Sequence, residues 1–199
     1  MGRHLSKFVE RIRRYLRVTR AAGIVRRYFA MNGFDGAMTI LGITLGSWAA
    51  QVENAEIIVS AGMGACIAMG ISGFSGAYMA EKAERERHLK ELEEKTNNNV
   101  DPIHYEASEF ISIFGALVSG LSPVLTAVIS ILPFAFTLWK LVPISIAYPA
   151  SVLMTLATLF VLGAYLGKVA KERMWFYGAK MLAAGLVTMT VIYIVETML

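Results

Sequence analysis

Apolar and small residues run through this chain in five long stretches, near 28–50, 57–80, 110–138, 143–167 and 174–197, and the polar residues gather between them. Ile57–Ala80, Phe110–Trp139 and Leu141–Gly167 hold no charged residue, and Met174–Leu199 holds two, Lys180 and Glu196. A helix needs about 20 such residues to cross the hydrocarbon core of a bilayer. The pattern therefore predicts an all-α, polytopic membrane protein with five transmembrane helices. The third stretch is long for one crossing; Pro123 and Pro133 provide kinks, and tilt uses the extra length.

Two polar segments have helical patterns of their own. In residues 3–20, RHLSKFVERIRRYLRVTR, the residues Leu5, Phe8, Val9, Ile12, Tyr15, Leu16 and Thr19 share one face and Arg and Lys fill the other. This is the signature of a basic amphipathic helix lying along the inner leaflet. Between the second and third stretches, EKAERERHLKELEEK is dense in strong helix formers, so the second span should run straight on into the cytoplasm until TNNNVDP breaks it. The chain thus divides into an amphipathic segment (1–27), transmembrane helices 1 and 2 (28–80), a short acidic cytoplasmic helical extension (81–109) and transmembrane helices 3 to 5 (110–199). Gly42 with Gly46 and Gly163 with Gly167 form GxxxG pairs, and Gly70, Gly73 and Gly76 recur every three residues; bare backbone at these points lets helices approach closely.

Composition supports the membrane reading. Only 17% of the 199 residues are charged, against about 25% in an ordinary soluble domain. Nine of the 19 Lys and Arg residues precede Tyr28, five lie in 81–109 and three in 168–173; only Lys140 and Lys180 lie elsewhere. With five spans, those three regions share one side. The positive-inside rule then places the N-terminus in the cytoplasm and the C-terminus outside. The pI near 9.2 follows from topology and lipid contact, and nucleic acid is not expected as a partner. The first 20 residues are too charged for a cleavable signal peptide. A single cysteine, Cys66, excludes an intrachain disulfide and a thiolate metal cluster. No HExxH, GxSxG or paired intramembrane Asp is present, so an enzyme is not expected, and neither is a tightly bound cofactor.

The sharpest chemical signal is Asp35, flanked by Gly33 and Gly36 inside the first span. A charge there costs at least about 2.5–3.5 kcal/mol, and such residues normally face a bundle interior or a cavity on an ion or proton pathway. Asn32 and Lys180 are its candidate structural partners. The cytoplasmic extension offers acidic pairs one turn apart, Glu81 with Glu84, Glu91 with Glu94, and Glu106 with Glu109, so that two carboxylates can converge on one cation. His88 lies four residues after Glu84, and carboxylate plus imidazole suits Fe2+, Mn2+ or Zn2+. Met31, Met38, Met69 and Met79 are candidate thioether contacts.

In order and motif the chain resembles the vacuolar iron transporter family. The likeness is carried by FDGAMTILGITLG (Phe34–Gly46), SGFSGAYMAEKAERE (Ser72–Glu86) and ILPF (Ile131–Phe134). It implies a homodimer that moves Fe2+, and often Mn2+, out of the cytosol in exchange for protons. It also implies that Asp35 is an ion-site residue, that Glu86 matches a downstream family Glu, and that cytoplasmic Glu residues collect the metal. In the second span Gly73 stands where the family has Met and Ala77 where it has Glu, and the connection is shorter than a full family metal-binding bundle. The expected function is a divalent-metal transporter in the cell membrane of a prokaryote; the alternative is a non-transporting membrane scaffold or lipid-interacting protein of the same fold.

Overall fold

The computed structural model describes Tyr15, residues 21–97 and residues 99–198. The predicted amphipathic helix over 3–20 lies outside the described residues, apart from Tyr15. Among the described residues, five α-helices follow one another: α1 (Ala22–Ala49), α2 (Ala55–Lys95), α3 (Pro102–Leu138), α4 (Ile144–Ala170) and α5 (Met174–Met198). The all-helical expectation holds. Among the described residues, α2, α3, α4 and α5 are long and apolar enough to cross a membrane. The first predicted span differs. It is helical and 28 residues long, but Asn32, Asp35 and the run of Gly and Thr dilute its apolar character below that of the other four.

α2 is one unbroken helix of 41 residues, as the charge-rich continuation predicts. At about 1.5 Å per residue it is about 60 Å long, twice the thickness of a hydrocarbon core. Its charged end from Glu81 to Lys95 must therefore extend past any bilayer that the apolar part before it crosses. α3 starts at Pro102, a residue suited to a first helical turn, and takes in the HYEASEF segment. α4 stops where Lys171 adopts the left-handed conformation (φ 57°) and Glu172 N–H donates back to Gly167 O at 3.0 Å, a tight turn into α5.

The chain forms two compact units. One holds the described residues up to Phe29 together with Ile71–Leu121. Within it, the end of α2 and the start of α3 make an antiparallel hairpin: Tyr105 bonds Glu93, Gly115 faces the Glu81 stem, and Gly73 meets the Ser119 backbone. The other unit holds Ala30–Gly70 and Ser122–Leu199. Its core joins Ile40, Ile58, Cys66, Ala127, Ile131, Phe134, Ala147 and Tyr148. Here Gly163 and Gly167 pack as their spacing predicts: a Cβ on Gly163 would lie 2.8 Å from Gly178 Cα, and one on Gly167 2.8 Å from Met174 Cα. Gly42 does not pack; a Cβ there would meet open space.

A buried hydroxyl seam ties this second unit together. Thr126 Oγ1 donates to Gly33 O at 2.7 Å, Ser151 Oγ donates to Ser130 O at 2.7 Å, and Thr44 and Ser151 hydroxyls meet at 3.1 Å. Interhelical bonds of this kind give membrane helices a specific register where apolar surface alone cannot.

Candidate functional site

The inner face of α1 is built from Ala30, Gly33, Gly36, Ala37, Ile40, Leu41 and Thr44, all buried. Gly33 and Gly36 bring the helix backbone onto α3. A Cβ on Gly33 would stand 3.1 Å from Ser122 Oγ; one on Gly36 would stand 2.5 Å from Thr126 Oγ1 and would overlap the Pro123 carbonyl. Asp35 lies on the other side of the helix and is exposed, with Met31 one turn before it, also exposed, and Met38 and Gly42 after it. Flanking Asp35 without bulk, the two glycines leave room in principle for a neighbouring helix or for a hydrated ion. It is the neighbouring helix that they admit, on the face opposite Asp35, and this close packing turns Asp35 outward. Thr39 Oγ1 donates to the Asp35 backbone carbonyl at 2.8 Å, and among the described residues no hydrogen bond engages the carboxylate itself.

Lys180 does not pair with Asp35. Its ammonium sits over the rings of Phe176 and Tyr177, 4.4 and 5.3 Å from their centroids, and among the described residues no ion pair reaches Asp35. The outer face of α1 therefore presents one carboxylate between two thioethers, on a strip kept low by Gly42.

The acidic residues of the first unit have separate roles. Glu81 is buried: it accepts from Tyr28 Oη at 3.1 Å and pairs with Arg85, itself buried, at 3.3 Å. Glu84 is exposed and pairs with Arg87 at 2.8 Å, and Glu106 accepts from Tyr15 Oη at 2.8 Å. His88 is exposed on α2 and Met79 is 72% exposed. Met69 belongs to the second unit, where it packs against the apolar core.

Two of the predicted ligands line the same cavity. Glu86 and Glu109 line one cavity of about 260 Å³ between α2 and α3, with Lys82, Arg85, Ser108 and Ser112. Tyr105 stands at its edge, and its hydrogen bond to the Glu93 carboxylate holds the phenol above its ordinary range. Among the described residues, no group of three or more His, Cys, Asp or Glu stands close enough to hold a metal ion. The cavity wall thus carries two carboxylates and two hydroxyls beside the cationic side chains of Lys82 and Arg85, a mixed set that favours at most loose capture of a divalent cation.

Arg85, Tyr28 and the two serines were absent from the predicted set. Glu81 and Arg85 are four residues apart, the spacing of an ion pair on one helix face, and that signal was available. Arg85→Ala is expected to cost about 3–5 kcal/mol, because it leaves the Glu81 carboxylate buried without its counter-charge. A thermal melt checks this, and the double variant Glu81→Gln, Arg85→Met is expected to recover most of the loss.

Comparison with known proteins follows the same lines. A sequence model of the VIT family matches residues 27–116, which take in nearly all of α1, all of α2 and the start of α3. The uncharacterized protein MJ0645 of Methanocaldococcus jannaschii is 33% identical over 174 residues, covering 85% of this chain and 87% of its own length.

Proposed function

The chain belongs to the VIT family of membrane ion transporters, and from that membership we propose that it is a homodimer carrying Fe2+ or Mn2+ out of the cytoplasm in exchange for protons. The observation that carries this reading is the outward face of α1, where Asp35 stands exposed between Met31 and Met38. A carboxylate facing lipid is costly, whereas one facing a second copy across a hydrated path is not. Two copies related by a two-fold axis bring two carboxylates and four thioethers together, a mixed hard and soft set suited to Fe2+ and Mn2+. Gly42 supplies no side chain on this face, so the second helix can come close.

On this reading α1 is a fifth span. Its 28 residues are about 42 Å long, enough for a crossing with tilt. The basic residues then put the N-terminus and the α2–α3 extension in the cytoplasm, with the C-terminus outside. Glu86 and Glu109 act as the cytoplasmic capture site, with Glu84, His88 and Glu106 on the surrounding surface. Glu81, locked to Arg85 and Tyr28, positions the α2–α3 hairpin. Only a deprotonated carboxylate is a good metal ligand, so proton and metal compete for the same oxygens, and that competition is the basis of exchange.

The function is tested by uptake of Fe2+, Mn2+, Co2+ and Zn2+ into proteoliposomes. Fe2+ and Mn2+ should enter well above protein-free vesicles, and uptake of none of the four would favour the scaffold alternative. The capture site is tested separately. Glu86→Gln with Glu109→Gln is expected to weaken Mn2+ binding in calorimetry at least tenfold, or about 1.4 kcal/mol. An unchanged isotherm would assign the two carboxylates to the solvated surface.

A further inference from the structure

The second unit contains a cavity of about 440 Å³ between the last turns of α1 and α5, distant along α1 from Asp35. Leu45 and Trp48 of α1 line it, with Met189, Ile192, Tyr193 and Glu196 of α5. Every wall is apolar or aromatic except at Glu196 and the neighbouring Thr197. The cavity has the character of a site for a mostly apolar ligand oriented by a few polar groups.

Glu196 is half-buried in this setting. Among the described residues no hydrogen bond or ion pair engages it, and the one basic residue of α5, Lys180, is committed to the rings of Phe176 and Tyr177. Gly46 faces the carboxylate: a Cβ there would stand in ordinary contact with Glu196 Oε1, at 3.8 Å, so a larger side chain at this position would crowd it. A carboxylate in apolar surroundings needs a counter-charge or a proton. A hydrated metal ion is a poor match, since it would find one carboxylate and hydrophobic walls. An ammonium group on an apolar body matches every wall: the carboxylate takes the charge, the ring faces take cation–π contact, and Leu45, Met189 and Ile192 take the chain.

Trp48 is held in place from behind. Trp48 stacks on Tyr148 with centroids 5.3 Å apart, and Tyr148 donates to Val52 O at 2.6 Å. Trp48 is nevertheless 46% exposed and Tyr193 70%, so both rings keep open surface.

We propose that this cavity binds the ammonium headgroup of an amine-bearing phospholipid of the ethanolamine type, with Glu196 as its counter-charge and Trp48 as its cation–π face. The lipid comes from the bilayer that α5 crosses, and its acyl chain lies along the Leu45 and Ile192 wall. The proposal does not depend on metal transport.

The test uses the full chain, purified and exchanged into micelles holding equal amounts of phosphatidylethanolamine and phosphatidylglycerol with the same acyl chains. Retained lipid is counted by native mass spectrometry. The ethanolamine lipid should be retained at least fivefold over the glycerol lipid, and Glu196→Gln should bring the ratio close to one. Gly46→Val, which crowds the carboxylate but keeps its charge, should do the same, with both variants melting as the parent does. Should Glu196→Gln lower the melting point, the Gly46→Val ratio decides. Equal retention of the two lipids by the parent, or a preference that survives both substitutions, would overturn the proposal.

Discussion

Asp35→Asn is expected to yield a folded protein that no longer exchanges metal for protons. Asn keeps the volume and the hydrogen-bonding capacity of Asp but carries no charge for a cation to meet. A unit charge about 4 Å from a cation is worth about 4 kcal/mol at an effective dielectric of 20, and more for a divalent ion. Even after partial compensation by water, metal flux should fall at least a hundredfold, or about 2.8 kcal/mol. Stability should move the other way or not at all. Asp35 faces outward and no described residue pairs with it, so removing a charge from an apolar helix face relieves a cost. Flux assays and thermal melts on the same preparation separate the two effects. A variant that melts normally and transports fully would show that the α1 face is not the path.

Gly36→Ala is expected to have the opposite profile. The added methyl would stand 2.6 Å from Pro123 Cα and 2.5 Å from Thr126 Oγ1, and would overlap the Pro123 carbonyl. Two of these three atoms are backbone, so no side chain can rotate away. α1 must then shift off α3, and the Thr126 bond to Gly33 O, at 2.7 Å, goes with it. The loss should lie at the top of the overpacking range, about 3 kcal/mol. For a chain of this size that lowers the melting temperature by about 6–12 °C. Gly23→Ala, on the same helix but with open space around its Cβ, should leave the melt unchanged. Equal melts for both variants would mean that the α1–α3 contact is looser than the glycine distances require.

Helices were legible because each is a long run of one character. α2 could be followed through the membrane boundary for the same reason: EKAERERHLKELEEK continues a helix in a different solvent. The faces of α1 were not legible. A helix that is apolar nearly all round gives no amphipathic signal, and Gly33 and Gly36 look alike whether they admit an ion or a neighbouring backbone. The contact with Pro123 and Thr126, some 90 residues on, decides between the two. A similar ambiguity affected the acids. Glu81 is one turn from both Glu84 and Arg85, and burial selects the arginine. Glu106 meets Tyr15, 91 residues away, a pairing no local spacing announces. The first span is the one whose apolar run is most interrupted: Asn32 and Asp35 weigh against the aliphatic residues around them, and α1 is less apolar than the stretches by which the other four helices qualify to cross a membrane.

The central claim is exchange of metal for protons through Asp35, and it is tested most directly by following metal uptake and internal pH together. The parent protein is reconstituted in proteoliposomes with an imposed pH gradient and offered Mn2+. Metal should accumulate inside while protons leave, with both signals rising as the gradient is steepened and both absent in Asp35→Asn vesicles. Mn2+ entry that leaves internal pH unchanged, or entry that persists in Asp35→Asn, would contradict the account.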